Sequence, residues 1–141
     1  MGFFSKLKEG LKKTKDNIGK KIFAAFSGRA LDDDFYEELE ECARVEREAM
    51  GNYCYLEDAW HYFNSLRGGM VCAFAGEEMA GIGRFSVLPD GSGWLETLRV
   101  SPKWQRMGAG TAIYGMYREL AEKNGCPSMA MFTGVKNQAS A

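Results

Sequence analysis

The chain has 141 residues, 45% of them apolar, and a formal net charge of −1. That length suits one ordinary domain, or one small domain with an appendage, and the apolar share can fill a packed core. The charge gives no overall pull toward nucleic acid. There is no apolar run long enough for a transmembrane helix, and no secretory h-region follows the basic start. Met1-Gly2 opens like an N-myristoylation signal, but Lys6 stands where Ser or Thr is needed.

The net charge hides an asymmetry. Up to Ala30, eight Lys/Arg face two acids, a net of +6; from Leu31 to Glu48, nine acids face two arginines, a net of −7. A basic head joined to an acidic segment suggests a surface-binding appendage or two pieces of different origin. Cys42, Cys54, Cys72 and Cys126 form no C-x-x-C pair, and His61 is the single histidine. No zinc site is expected from that spacing; the pattern fits reduced, mostly buried thiols of a cytosolic protein.

In chain order, residues 3–26 read as an amphipathic helix, or two short ones. Phe4, Leu7, Leu11, Ile18, Ile22 and Ala25 recur at helical spacing among lysines. Gly28 stops the pattern, and one of Asp32, Asp33 or Asp34 caps a second helix through Phe35, Leu39, Cys42 and Val45 to about Met50. Gly51-Asn52 is a turn. Tyr55 to Leu66 reads as a third helix with Leu56, Ala59, Trp60 and Phe63 on one face. Beyond Gly68-Gly69 the period changes. Met70–Ala75, Met79–Leu88 and Trp94–Val100 read as strands, with Gly76-Glu77-Glu78 and Pro89-Asp90-Gly91-Ser92-Gly93 as the turns between them. Thr111–Asn124 is a long helix with Ile113, Met116, Tyr117 and Leu120 inward. Gly125 ends it, Met129–Thr133 is a fourth strand, and Asn137 begins another helical pattern. The expected fold class is α/β (α+β): N-terminal helices, then a mixed sheet of about four strands with helices on its faces. His61 is expected to be a half-buried structural residue, and the neighbouring aromatics to be core.

The most specific stretch joins the third strand to the long helix: Trp94–Val100, a Ser101-Pro102 turn, then Gln105-Arg106-Met107-Gly108-Ala109-Gly110 at the helix start. A glycine-rich turn opening a helix offers unpaired N–H groups and the positive end of the helix dipole to an anion. Gly108 and Gly110 let the backbone come close to a phosphate. No Gly-Lys-Ser/Thr of a P-loop is present, and Ile113 stands where a dinucleotide fingerprint needs its third glycine.

This block resembles the acetyl-CoA-binding motif of the GNAT superfamily of N-acetyltransferases, and the resemblance covers about residues 42–141. It implies that Gln105, Arg106, Met107, Gly108, Ala109, Gly110 and Thr111 hold the pyrophosphate of acetyl-CoA. It implies that Thr97, Leu98, Arg99 and Val100 run beside the pantetheine arm between two splayed strands, Trp94–Val100 and Met129–Thr133, with Asn137 at the same ligand. It also implies that the Leu98 N–H polarises the acetyl carbonyl and that Glu96 is the base that deprotonates an amine acceptor; a solvent-facing strand residue is the equal alternative for Glu96. The family usually has a strand before its first helix, and nothing strand-like is read before Cys42. It usually continues past residues 135–140 with a helix bearing a tyrosine general acid and two more strands. On that expectation acetyl-CoA binding is better supported than turnover, and an uncovered strand edge can take a second copy, giving a homodimer.

The first 41 residues, GFFSKLKEGLKKTKDNIGKKI followed by FSGRALDDDFYEELEE, are similar to the start of the bacterial signal-recognition-particle receptor. That likeness divides the chain into a basic amphipathic segment (1–30), an acidic helix start (31–41) and the acetyltransferase part (42–141). It implies peripheral attachment to the inner face of an anionic membrane through Phe3, Phe4 and the lysines, without GTPase activity, as the second reading of function. The whole reads as a chimera joined near Glu41.

Overall fold

The computed structural model of the chain describes residues 22–26 and 33–138. Its elements are β1 (Ile22–Phe26), α1 (Asp33–Met50), α2 (Leu56–Ser65), β2 (Gly68–Ala75), β3 (Glu78–Val87), β4 (Gly93–Val100), a 3₁₀ turn (Pro102–Trp104), α3 (Ala109–Asn124) and β5 (Met129–Met131). The strands form one sheet in the order β1-β2-β3-β4-β5. The first four pair antiparallel, and β4 pairs parallel with β5. The sheet therefore has five strands rather than four.

The additional strand corrects two expectations. Ile22–Phe26 is not the end of a helix: it pairs with β2 from Ile22 opposite Phe74 to Phe26 opposite Met70. A short unbroken apolar run suits a strand or a helix equally by periodicity. Here the free edge of β2 supplies hydrogen-bond partners that decide it. A strand thus does precede the first helix. The helical reading of residues 3–21, including Phe3, Phe4 and the lysines, lies outside the described residues, as do the Gly28 stop and Asp32.

α1 runs unbroken across the place where the two resemblances meet. Its buried face carries Cys42, Val45 and Glu46. The core lies in two layers, one on each side of the sheet. On one side Cys42, Val45, Leu56, Trp60 and Phe63 of α1 and α2 pack on Met70, Cys72 and Phe74 of β2. On the other, Ala109, Ile113, Tyr117 and Ala121 of α3 pack on Val71, Ala73, Phe85 and Leu95. The alternation along β2 is the period of two that sends successive side chains to opposite faces.

β3 offers α3 mostly backbone. A Cβ on Gly83 would fall 1.9 Å from the Tyr117 hydroxyl oxygen, and one on Gly81 would fall 3.1 Å from Ile113 Cδ1. The two glycines let α3 lie low on the sheet, so that the Tyr117 hydroxyl reaches β4 and donates to the Glu96 carbonyl at 3.3 Å.

α3 begins two residues before the expected start and ends at Asn124, with Gly125 at φ 66° closing it. Met116 and Leu120 are only half-buried, and Ala109 and Ala121 complete the inward stripe. His61 is exposed, not half-buried. Trp60 and Phe63 are core as expected, while Tyr62 is exposed. Cys42 and Cys72 are buried, Cys126 is half-buried, Cys54 is exposed, and all four are free thiols.

Candidate active site

Two features of β4 shape the site. The first is where it leaves its parallel neighbour. Pairing runs from Gly93 opposite Met129 to Leu95 opposite Met131 and then stops, while β4 itself continues to Val100. β5 ends three rungs long, and Phe132 and Thr133 line the gap instead of extending the ladder as expected. The second feature is an irregularity against β3. Ile82 faces Arg99 and Arg84 faces Glu96, so Thr97 and Leu98 share the space opposite Gly83. This is the two-against-one count of a β-bulge. Thr97 adopts φ 56° to make it, a costly conformation for a β-branched residue.

The bulge is braced from both faces. Tyr117 reaches Glu96 from α3, as above. From the other side the Tyr55 hydroxyl lies 3.0 Å from Thr97 Oγ1. Tyr55 is itself held by Glu46, whose Oε2 accepts the Tyr55 N–H at 3.2 Å and the Leu56 N–H at 2.9 Å, which caps the start of α2. The other Glu46 oxygen lies 4.0 Å from Arg99 Nε. The Arg99 guanidinium stands 5.6 Å from the centre of the Tyr55 ring.

The gap between β4 and β5 opens a cleft of about 530 Å³ whose walls include Met50, Tyr53, Tyr55, Glu96, Thr97, Leu98, Arg99, Phe132 and Asn137. A second cavity of about 510 Å³ is lined by Leu98, Val100, Gln105, Arg106, Gly108, Gly110, Thr111, Tyr114 and Asn137. Leu98 and Asn137 border both, so the two spaces meet along β4.

At the outer end the chain turns into α3 through Arg106 at φ 62° and Gly108 at φ 91°. Gln105 Nε2 donates to the Val100 carbonyl at 3.2 Å and ties the loop to the end of β4. Met107 is exposed and Ala109 is buried in the core, and neither lines the cavity. Asn137 sits in a turn rather than at a helix start, its Nδ2 donating to Thr133 Oγ1 at 3.1 Å. A positively inclined helix start with glycine at its head, open to a slot that passes between two strands, fits a long ligand with an anionic end.

At the inner end stands Glu96. It is partly buried, and burial raises its carboxyl above the usual value, while the Arg84 cation and hydrogen bonds from Trp94 and Ser86 act in the opposite direction. Burial likewise pushes the Tyr117 phenol up, so it stays protonated as a donor. Tyr55, Arg84 and Tyr53 were not singled out by sequence reasoning, and Thr97 was expected only on the strand beside the pantetheine arm. The available signal was Gly83: a glycine inside a strand marks a bulge or a close backbone approach, and here it marks both.

A model of the acetyltransferase (GNAT) family matches residues 32–141. The chain belongs to that family. It is therefore an enzyme of the N-acetyltransferase class, with a fold suited to acyl transfer from a coenzyme A donor. Solved structures share the fold at low identity. The ribosomal-protein-S18-alanine N-acetyltransferase of Escherichia coli superposes with a TM-score of 0.69 at 19% identity, over 86% of this chain and 72% of that one. The aminoglycoside 6'-N-acetyltransferase AAC(6')-Ih of Acinetobacter baumannii gives 0.65 at 13%, over 86% and 84%. The aminoglycoside N-acetyltransferase AAC(6')-Iy in complex with CoA gives 0.66 at 15%, over 86% and 82%. A 40-residue segment is 55% identical to the signal recognition particle receptor FtsY of Haemophilus influenzae. That segment is 28% of this chain and spans only 10% of the receptor. Among the described residues no helix is long and apolar enough to cross a membrane, and no group of three His, Cys, Asp or Glu could hold a metal ion.

Proposed function

We propose that the protein transfers an acetyl group from acetyl-CoA to a primary amine in the cleft between β4 and β5. The observation that carries this reading is the parting of β4 from β5 at Leu95, level with the bulge and continuous with the loop that opens α3. Acetyl-CoA supplies an activated thioester. The backbone of Gln105–Gly110, with Thr111, takes its pyrophosphate, and Leu98 to Val100 run along its arm. The Leu98 N–H, beside the bulge, donates to the acyl oxygen and stabilises the charge that develops there. Glu96 accepts a proton from the amine, directly or through water. Tyr117 and Tyr55 hold the bulge in shape while this happens.

The acceptor end also limits what can bind. Among the described residues, Glu96 and Arg99 are the two charged side chains on its walls, beside Met50, Tyr53, Tyr55 and Phe132. One carboxyl answers one ammonium group. The walls suit an amine on an apolar or aromatic carrier better than a polycation. The first forty residues are a receptor-like piece joined in frame to this enzyme near Glu41, and α1 carries the joint.

Isothermal titration of acetyl-CoA, with desacetyl CoA as control, tests the site. Saturable binding is expected, and Gly110→Trp should weaken it about 100-fold or more. A Cβ at Gly110 meets nothing within 4 Å and Gly110 lines the cavity, so the added ring should take the ligand's space, with retention of the fold checked by circular dichroism. Unchanged affinity in a folded Gly110→Trp would move the ligand elsewhere. A panel of aromatic, aliphatic and polycationic amines then tests the acceptor, and fastest transfer to a polycation would reverse that part of the reading.

A further inference from the structure

Arg84 is a cation in the wrong place for a stability argument. It lies in the middle of β3, 1% exposed, with its side chain on the α1–α2 side of the sheet. Its Nη2 donates to the Phe63 carbonyl at 2.8 Å and the Leu66 carbonyl at 3.1 Å, and its Nε donates to Ser86 Oγ at 3.1 Å. The guanidinium stands 5.8 Å from the centre of the Phe63 ring. Every one of these partners is neutral. A buried charge held only by neutral groups is costly, and a well-packed apolar residue would serve the core better. The carboxyl whose charge acts on it is Glu96, the direct register partner of Arg84 on β4. Directly opposed residues of an antiparallel pair send their side chains to the same face.

Ser86 joins the two. Its oxygen accepts from Arg84 Nε, which leaves its own O–H to donate, and the Ser86 side chain favours the ionised form of Glu96. A hydroxyl that already accepts from the guanidinium has its own O–H to offer the carboxylate. We propose that Arg84, through space and through Ser86, is a positioning residue that keeps the Glu96 carboxylate ionised and turned toward the cleft. The proposal rests on the reading of Glu96 as the base.

The other groups around Glu96 do not supply this charge. Trp94, on the same strand, is a neutral donor to it. Tyr117, from α3, stays a neutral phenol and binds the Glu96 carbonyl rather than its carboxyl. Arg99, three residues along β4, lies beside Glu46. Arg84 itself, although burial pulls it down to about 10, remains a cation at neutral pH.

The test reads ionisation and needs no acceptor. In protein labelled with 13C at the glutamate carboxyls, the Glu96 signal is assigned by its loss in Glu96→Gln and titrated with pH. Arg84→Met should raise the Glu96 midpoint by about one unit or more, the size expected for losing a nearby opposite charge. Arg84→Lys, which keeps the charge, should return it most of the way. Ser86→Ala should raise it by a smaller amount, and this small change keeps the test open if Arg84→Met does not fold. A folded Arg84→Met with the Glu96 midpoint unmoved or lowered overturns the proposal, as does an unmoved midpoint in Ser86→Ala when Arg84→Met is unfolded. The base reading fails separately: if the midpoint moves as expected but Glu96→Gln transfers acetyl at the normal rate, the charge coupling stands and Glu96 is not the base.

Discussion

The two ends of the cleft are built differently. The outer end comes from one short stretch, Gln105 to Thr111, and offers mostly backbone: two residues in left-handed conformations, Arg106 and Gly108, and the first turn of α3. The inner end is assembled from side chains on four parts of the chain. Glu96 and Arg99 come from β4, Tyr55 from the loop before α2, Glu46 from α1, and Arg84 lies behind them on β3. A backbone site depends on chain shape and on the absence of Cβ atoms. A side-chain site depends on each residue's identity and on what holds it. The same enzyme should therefore answer substitutions in opposite ways at its two ends.

The largest effect should come from Glu96→Gln, which keeps shape and removes the proposed base. Acetyl transfer should fall about 100-fold or more, with acetyl-CoA affinity unchanged in a titration. The parent rate should rise with pH through a midpoint above the ordinary carboxylate range, because burial raises Glu96, and the Gln variant should lose that limb. Stability moves the other way. The raised midpoint means the folded state favours the neutral carboxyl, so the contribution is complete below the unfolded value and is lost as pH rises through the folded one. Next comes Glu46→Ala, which strips the Tyr55 and Leu56 N–H groups of their acceptor and leaves Arg99 without its carboxylate. It should cost roughly 3 kcal/mol in denaturant unfolding, as expected for a buried charge left alone. The smallest effect belongs to the outer end. Met107→Ala should change acetyl-CoA affinity by less than about threefold, because an exposed side chain there adds nothing that the backbone does not. A large loss in Met107→Ala would break the comparison.

The same contrast explains what could be foreseen. The shape of the outer end was legible because it lies in consecutive residues: strand, Ser-Pro turn, two glycines, helix. The long helix, the three antiparallel strands and the parting of β4 from Met129–Met131 follow from periodicity and the family likeness. The inner end was not legible, because Tyr55, Arg84 and Glu46 are joined to β4 only by folding, and nothing in their local sequence distinguishes them from core or surface residues. Arg84, inside an apolar strand, gave a hint only in retrospect. β1 was missed for another reason. Ile22–Phe26 is too short for its period to choose between helix and strand, and the deciding partner, β2, lies more than forty residues away.

The early end of the β4–β5 ladder has a consequence for the protein outside catalysis. A ligand lying in that gap, as proposed, would act as a missing rung and contribute to the sheet what β5 does not. Folding would then be tied to ligand supply: at a ligand concentration 100 times its dissociation constant a folded state gains about 2.7 kcal/mol, a substantial part of a small domain's whole margin. The lifetime of such a protein in a cell would track the pool of its own substrate, and starvation for that substrate would remove the enzyme as well as its work.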